Sequence, residues 1–348
     1  MERSSVVVGA AVLAIVGGLW SVDIFLARTE NRETRTEAEQ DYESGSRMLR
    51  EHQPEEAVEL LRKAYALDRT DERYALELAS ALIGANKTRE AQTILDQVLA
   101  TSPNNGDANL VEARLMARDG KSEEALSYYH RAIYGIWNVD ALSRRVQVRM
   151  ELADYLASRG SDKELLAELL PLESEAHDLP TRKQVAHLYL IANSPARSAA
   201  AYRALIHEDP KDLSDYAGLG KAELQLGNYR AAENAFRTAG AADQEALAAQ
   251  LVSLDPTPRA LSAAEKVARS TRILQLARDA LAACSSADDL VKEADEMLGQ
   301  KIRASTNEVA EDRLGLAQQV WDRLNEKCAG ASSNVEPLRL ILTKLAGR

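Results

Sequence analysis

Aromatic side chains are scarce in this 348-residue chain, which has two Phe, three Trp and eleven Tyr. The scarcity is uneven: beyond Phe236 the only aromatic is Trp321. An enzyme that cuts cell-wall glycan needs an acid in an aromatic-rich cleft, and the C-terminal third cannot line one. Pro and Gly are also few, at 9 and 17, while Ala and Leu abound, which favours an all-helical chain. A basic excess is missing: 43 Lys and Arg face 54 Asp and Glu, a net charge of -11. Phosphate backbones need a basic surface, so nucleic acid is excluded as a general partner, and the acidity serves solubility. The five histidines (His52, His130, His177, His187, His207) form no His-Glu-x-x-His pattern, and a four-ligand zinc site lacks candidates. No P-loop, Gly-x-Ser-x-Gly or dinucleotide fingerprint occurs. Carboxylates are abundant, but on helix surfaces abundance does not make a catalytic pair. The chain reads as a non-enzyme with no cofactor and no metal.

One long apolar run is present. Val6–Trp20 is uninterrupted for 15 residues, and Ser21–Leu26 extends it at the cost of Asp23. A span needs about 20 apolar residues, and a charge near one end reaches the headgroups. No small-x-small cleavage site follows. Residues 1–27 therefore read as an uncleaved single-pass anchor, with a cleaved signal peptide as the alternative. Residues 28–37, with interleaved Arg and Glu, read as a charged linker.

The most informative stretch is Leu213–Ala239. Tyr216, Leu219-Gly220 and Leu224 precede a Gly227-Asn228-Tyr229 break, and Ala232, Phe236 and Ala239 follow it. Apolar positions recur every three to four residues on both sides, which predicts two amphipathic helices joined by a tight turn. Gly218-Leu-Gly220 sits inside the first helix and reads as close helix packing. The stretch resembles the tetratricopeptide repeat, with its aromatic, Leu-Gly, aromatic, Ala and Phe at fixed offsets.

The same offsets, at a period of 34 residues, mark Ala38–Asp71, Glu72–Asn105, Gly106–Val139, a degenerate Val146–Leu179, and Leu179–Asp212. Six repeat-like units thus cover residues 38–246. Two departures stand out. Trp137-Asn138 and a short insertion to Arg145 follow the third copy, and Pro171 lies inside the second helix of the fourth, where it is expected to kink or end that helix. Both predict an altered superhelical angle there. Tyr128, Tyr129, Tyr134 and Trp137 cluster near the insertion, as a ligand platform or as packing of an irregular seam.

The resemblance implies an all-α, right-handed superhelical solenoid. It also implies that the first helix of each repeat lines a concave groove that binds a peptide or helix. Carried over by register, that groove includes Tyr42, Leu49, Leu76, Ile83, Leu110 and Arg114, then Met150, Lys183, His187, Lys221 and Leu224. The Lys and Asn set with which relatives clamp chaperone tails is not found. Arg114, Lys183 and Lys221 are expected to meet an acidic partner, so changing all three to Glu should abolish binding and spare folding.

Residues 247–348 match no repeat. Asp255-Pro-Thr-Pro258 is a break, and helical patterns follow over Arg259–Cys284, Ala287–Ala304, Asn307–Cys328 and Glu336–Ala346. A helical domain that caps the solenoid end is expected, since an uncapped end exposes apolar surface. If the first and third long helices run parallel, Cys284 and Cys328 fall at one end, as a disulfide or as two free thiols.

The expected function is a membrane-anchored scaffold for unidentified protein partners. The alternative is a structural homo-oligomerisation module whose C-terminal helices pair and whose groove is empty. Arg28, Arg32 and Arg35 after the apolar run mildly favour a cytoplasmic solenoid, whereas a disulfide favours an oxidising compartment. The periplasmic or extracytoplasmic side is taken as the expectation.

Overall fold

A computed structural model of the chain describes residue 20 and residues 32–302, 304–328 and 335–347. Apart from Trp20, the run Val6–Leu26 lies outside them. Among the described residues no helix is long and apolar enough to cross a membrane.

The described chain is an all-α repeat solenoid. It opens with α1 (32–50), so the later half of the charged linker is continuous with the first repeat helix. Antiparallel partners then follow in order: α2 (Pro54–Leu67), α3 (Glu72–Gly84), α4 (Thr88–Thr101), α5 (Gly106–Arg118), α6 (Ser122–Ile133), α7 (Ala141–Arg159), α8 (Asp162–Glu175), α9 (Leu179–Ile191), α10 (Pro195–Glu208), α11 (Leu213–Gln225) and α12 (Tyr229–Ala239). Beyond these lie α13 (Ala242–Leu254), α14 (Ala263–Cys284), α15 (Asp289–Gly299), α16 (Asn307–Lys327) and α17 (Glu336–Ala346). Two compact units divide between Tyr155 and Leu156.

The turn inside each helix pair is built one way. A left-handed residue sits at His52, Asn86, Gly120, Gly160, Asn193 and Gly227. The following amide reaches back to close the last helical turn: Gln53 N–H to Met48 O, Lys87 to Leu82, Lys121 to Met116, Ser161 to Leu156, Ser194 to Tyr189 and Asn228 to Glu223, at 2.8–3.1 Å. This is a Schellman closure, which satisfies carbonyls that a helix end leaves orphaned. The six turn residues fall at intervals of 34, 34, 40, 33 and 34. The longer interval contains the insertion after α6.

Small residues stand where helices cross. A Cβ on Gly220 would lie 2.5 Å from the Phe236 ring, and one on Gly218 would enter the Tyr202 ring. Phe236 and Ala232 are buried as a result. In the N-terminal unit, Leu61, Leu78, Leu82, Leu95 and Leu115 fill one continuous core. Fully burying each such Leu contributes about 1.5–3 kcal/mol.

Helix α8 runs through Pro171 and ends four residues later, contrary to the expected break. The ring removes one amide donor, but Leu165, Leu169 and Leu172, on both sides of it, are buried. After α12, the segment read as the tail of the sixth repeat forms a helix of its own, α13, before the Asp255–Pro258 break.

In the C-terminal unit, α13, α14, α16 and α17 share a core that includes Leu251, Ile273, Leu274, Val320, Trp321, Leu338, Ile341 and Leu342. Cys284 and Cys328 are joined by a disulfide, with Cα atoms 6.3 Å apart. Beside it, buried Asp288 caps α15 and receives Lys327 at 2.7 Å and Arg323 at 3.3 Å. Helix α17 folds back on the last repeat: Lys344 Nζ donates to Gly227 O at 2.9 Å and to Asp255 Oδ2 at 2.8 Å, 4.6 Å above the Tyr229 ring.

Candidate functional site

The candidate site is the solvent-facing stripe of the odd-numbered repeat helices. A first helix lies between its own partner and the helices of the next repeat, so apolar residues cover both flanks and only a narrow stripe is left. On α3 the stripe is Arg73, Glu77, Ser80 and Gly84; on α5 it is Asp107, Arg114 and Arg118; on α7 it includes Arg144, Gln147, Glu151 and Asp154.

Several residues assigned to the groove from the sequence have little exposed surface. Leu76, Leu110 and Met150 are buried and pack between helices. Leu49 and Ile83 are half-buried against the N-terminal core. Tyr42 packs on Tyr74 with ring centroids 5.1 Å apart, and the Arg73 guanidinium lies 5.3 Å from each ring. The register carried over from the repeat falls within a residue of the stripe, but a one-residue offset on a helix turns a side chain from the stripe into the flank.

The charges on this stripe form a ladder. Arg73 on α3 donates through both terminal nitrogens to Glu39 on α1, at 3.2 and 3.0 Å, and the Tyr74 hydroxyl donates to the same carboxylate at 2.8 Å. These contacts hold the Glu39 carboxyl below its usual range. Arg118 on α5 reaches back to Ile83 O and Asn86 Oδ1. Arg114 donates to Glu151 on α7 from Nε at 2.8 Å and Nη2 at 2.7 Å. Tyr129 adds its hydroxyl to Glu151 at 3.0 Å, and burial together with the Glu151 charge raises its own pKa. Arg144 reaches Asp107 at 3.1 Å. Arg73, Glu39, Asp107, Arg144 and Glu151 are not among the residues read from the sequence. The available signal was opposite charges about one repeat apart.

The C-terminal unit repeats the device. Lys183 on α9 pairs with Asp212, the N-cap of α11, and lies 3.5 Å from buried Asp215. Asp212 also accepts from the Ser214 amide and hydroxyl, and Lys183 first, then these bonds, lower its pKa to about 2. Burial pushes Asp215 the other way. His187 and Lys221 are exposed, and among the described residues no partner is seen for Lys221. Leu224 is half-buried against the C-terminal core, where the terminal helices cover it.

This changes the expectation for the three cations. Arg114 and Lys183 are ion-paired within the stack, so their reversal to Glu would set carboxylate against carboxylate and disturb folding. Lys221 alone is free of that cost.

The aromatic cluster divides. Trp137 is buried, donates from Nε1 to Ala132 O at 2.9 Å, and lies where a Cβ on Gly106 would have to go. Tyr129 is buried as well, while Tyr134 is exposed. No group of three or more His, Cys, Asp or Glu is placed to hold a metal among the described residues.

Residues 48–115 match the family model of the tetratricopeptide repeat. No curated protein matches the sequence. Among solved structures, the chain is similar to a thermophilic TPR protein of Thermus thermophilus, with 17% identity and a TM-score of 0.35 over 54% of this chain and 99% of that one. It is similar to a tetratricopeptide repeat protein of Parabacteroides merdae, with 16% identity and a TM-score of 0.37 over 88% and 99%. It is similar to Pseudomonas aeruginosa pilF, with 13% identity and a TM-score of 0.33 over 72% and 95%. The family match is thus confined to residues 48–115, and tetratricopeptide repeat proteins generally mediate protein–protein interaction.

Proposed function

We propose that this chain is a non-enzymatic scaffold, anchored in a membrane through Val6–Leu26, that holds a protein partner on the exposed stripes of its first helices. The observation that carries the reading is the charge ladder. Ion pairs tie α1 to α3, α5 to α7 and α9 to α11 on their solvent side, which fixes a polar surface before a partner arrives. A pre-organised surface loses little freedom on binding. The partner is a peptide or helix that meets His187 on α9 and Lys221 on α11 of the C-terminal unit. The carboxylates of Glu151 and Asp212 are already neutralised, so the free charge offered by α11 is the Lys221 cation, which suits an acidic group. The Cys284–Cys328 disulfide supports placement in an oxidising, extracytoplasmic compartment.

The test is site-specific photo-crosslinking in the native cell. Probes at His187 and Lys221 should trap the same partner protein, while a probe at Glu56 on the outer second helix should not. Lys221→Glu should cut recovery without changing stability. Equal trapping at Glu56, or unchanged recovery with Lys221→Glu, would remove the groove reading.

A further inference from the structure

The longest interval between turn residues, 40 positions from Gly120 to Gly160, spends its extra length between α6 and α7. That connection is held firmly. Ile136 N–H donates to Asn104 O at 2.7 Å, Gly106 N–H donates to Ile136 O at 2.9 Å, and Trp137 plugs the space over Gly106. Arg144 lies 5.3 Å from the Trp137 ring.

A connection so well fixed would be expected to bury its apolar side chains, yet Tyr134, Ile136, Val139 and Leu142 are 73%, 67%, 77% and 75% exposed. Among described residues 32–155, the only other exposed large apolar side chain is Leu67, at 39%. Leu67 ends α2. Successive repeat helices are antiparallel, so even-numbered helices end, and odd-numbered helices begin, on one edge of the unit. Leu67 and the 134–142 connection therefore share an edge. Helix α1 also passes that edge from its N-terminal side, since Glu39 in its first half meets Arg73 near the beginning of α3. In the sequence, the apolar run Val6–Leu26 precedes residue 32, the first described residue of α1. Of the four Arg in residues 130–149, Arg144 is paired with Asp107 and Arg149 is buried, which leaves exposed Arg131 and half-buried Arg145 as the cations beside the loop.

We infer that residues 134–142 form a second membrane contact, a loop that lies in the interface of an anionic bilayer. The inference rests on the anchor reading above. Tyr134, Ile136, Val139 and Leu142 enter the boundary between headgroups and acyl chains, and Arg131 and Arg145 face lipid phosphates. The anchor and the loop then hold the edge of the unit against the membrane at two points, which leaves the first-helix stripes facing along the surface.

The full chain reconstituted in nanodiscs of phosphatidylglycerol and phosphatidylcholine tests this. Both native cysteines are in the disulfide, so one introduced cysteine carries a polarity-sensitive fluorophore. Three positions are compared: Val139→Cys on the loop, Lys87→Cys on the opposite edge, and Ala14→Cys in the apolar run. Nitroxide lipids should quench the probe at 139 and not at 87, and the quenching should weaken when phosphatidylcholine replaces phosphatidylglycerol. An unquenched, water-exposed probe at 139 overturns the inference even if the probe at 14 is quenched. A blue-shifted but unquenched probe at 139 means that protein covers the loop, a second copy or another segment, and also overturns it. Quenching indifferent to headgroup charge overturns the anionic assignment. Quenching at 139 without quenching at 14 removes the anchor reading and keeps the loop contact.

Discussion

Arg114 and Glu151 are 37 residues apart and meet in a two-pronged ion pair, with Tyr129 donating to the same carboxylate. One repeat is thereby fastened to the next on the face that a partner would use. Their side chains are 50% and 34% exposed, so solvent screens the pair and its coupling should be about 0.5–1 kcal/mol. Arg114→Glu and Glu151→Arg should each destabilise by about that amount, and the double reversal should restore most of it. A double-mutant cycle in urea measures the coupling. Additive singles would show that the pair does not fasten the repeats.

The Lys183–Asp212 pair makes a pH prediction. Asp212 sits at about 2 in the folded chain, against about 3.9 for an unperturbed Asp. A depressed carboxyl contributes its stability fully above the unfolded value and loses it as pH falls through the folded value. Unfolding free energy should therefore fall between about pH 4 and pH 2. Lys183→Met should flatten part of that fall, and an unchanged acid limb would disprove the linkage.

Lys344 neutralises Asp255, whose side chain is only 8% exposed. Lys344→Met leaves that carboxylate buried and unpaired, at a cost of about 3 kcal/mol. Asp255→Asn in the same chain should recover most of the loss, because the Thr257 amide still finds an acceptor at Oδ1. Protease sensitivity around α17 and the urea midpoint report both effects.

The disulfide closes a loop with a sequence separation of 44. In the chain-entropy model such a link adds ~4 kcal/mol. Reduction should lower the melting temperature of the C-terminal unit, read through Trp321, while Trp137 in the N-terminal unit keeps its transition. Equal shifts at both tryptophans would mean that the two units unfold together.

The all-α repeat solenoid was legible in the chain because its cause is local. Helix periodicity, a small residue at each crossing and a turn residue near every thirty-fourth position all lie within short windows around Gly220, Gly227 and Phe236. The face of each helix was less legible. Leu76, Leu110 and Met150 sit close to the exposed stripe in register, and only the neighbouring repeat decides which side of each helix is covered. Pro171 has a real local cost, yet α8 continues past it, with Leu165, Leu169 and Leu172 buried around it.

By itself, then, the sequence determined the class of fold, the repeat length and the absence of recognisable catalytic motifs. Tertiary structure decided which charges are spent: Arg114 and Lys183 look identical to Lys221 in one dimension, and they differ only because carboxylates from the next helix stand beside them. It also decided that Trp137 fills the space over Gly106 while the chain leaves Ile136, Val139 and Leu142 uncovered. Composition and spacing specify how a helix forms, but exposure and pairing depend on residues brought close from distant parts of the chain.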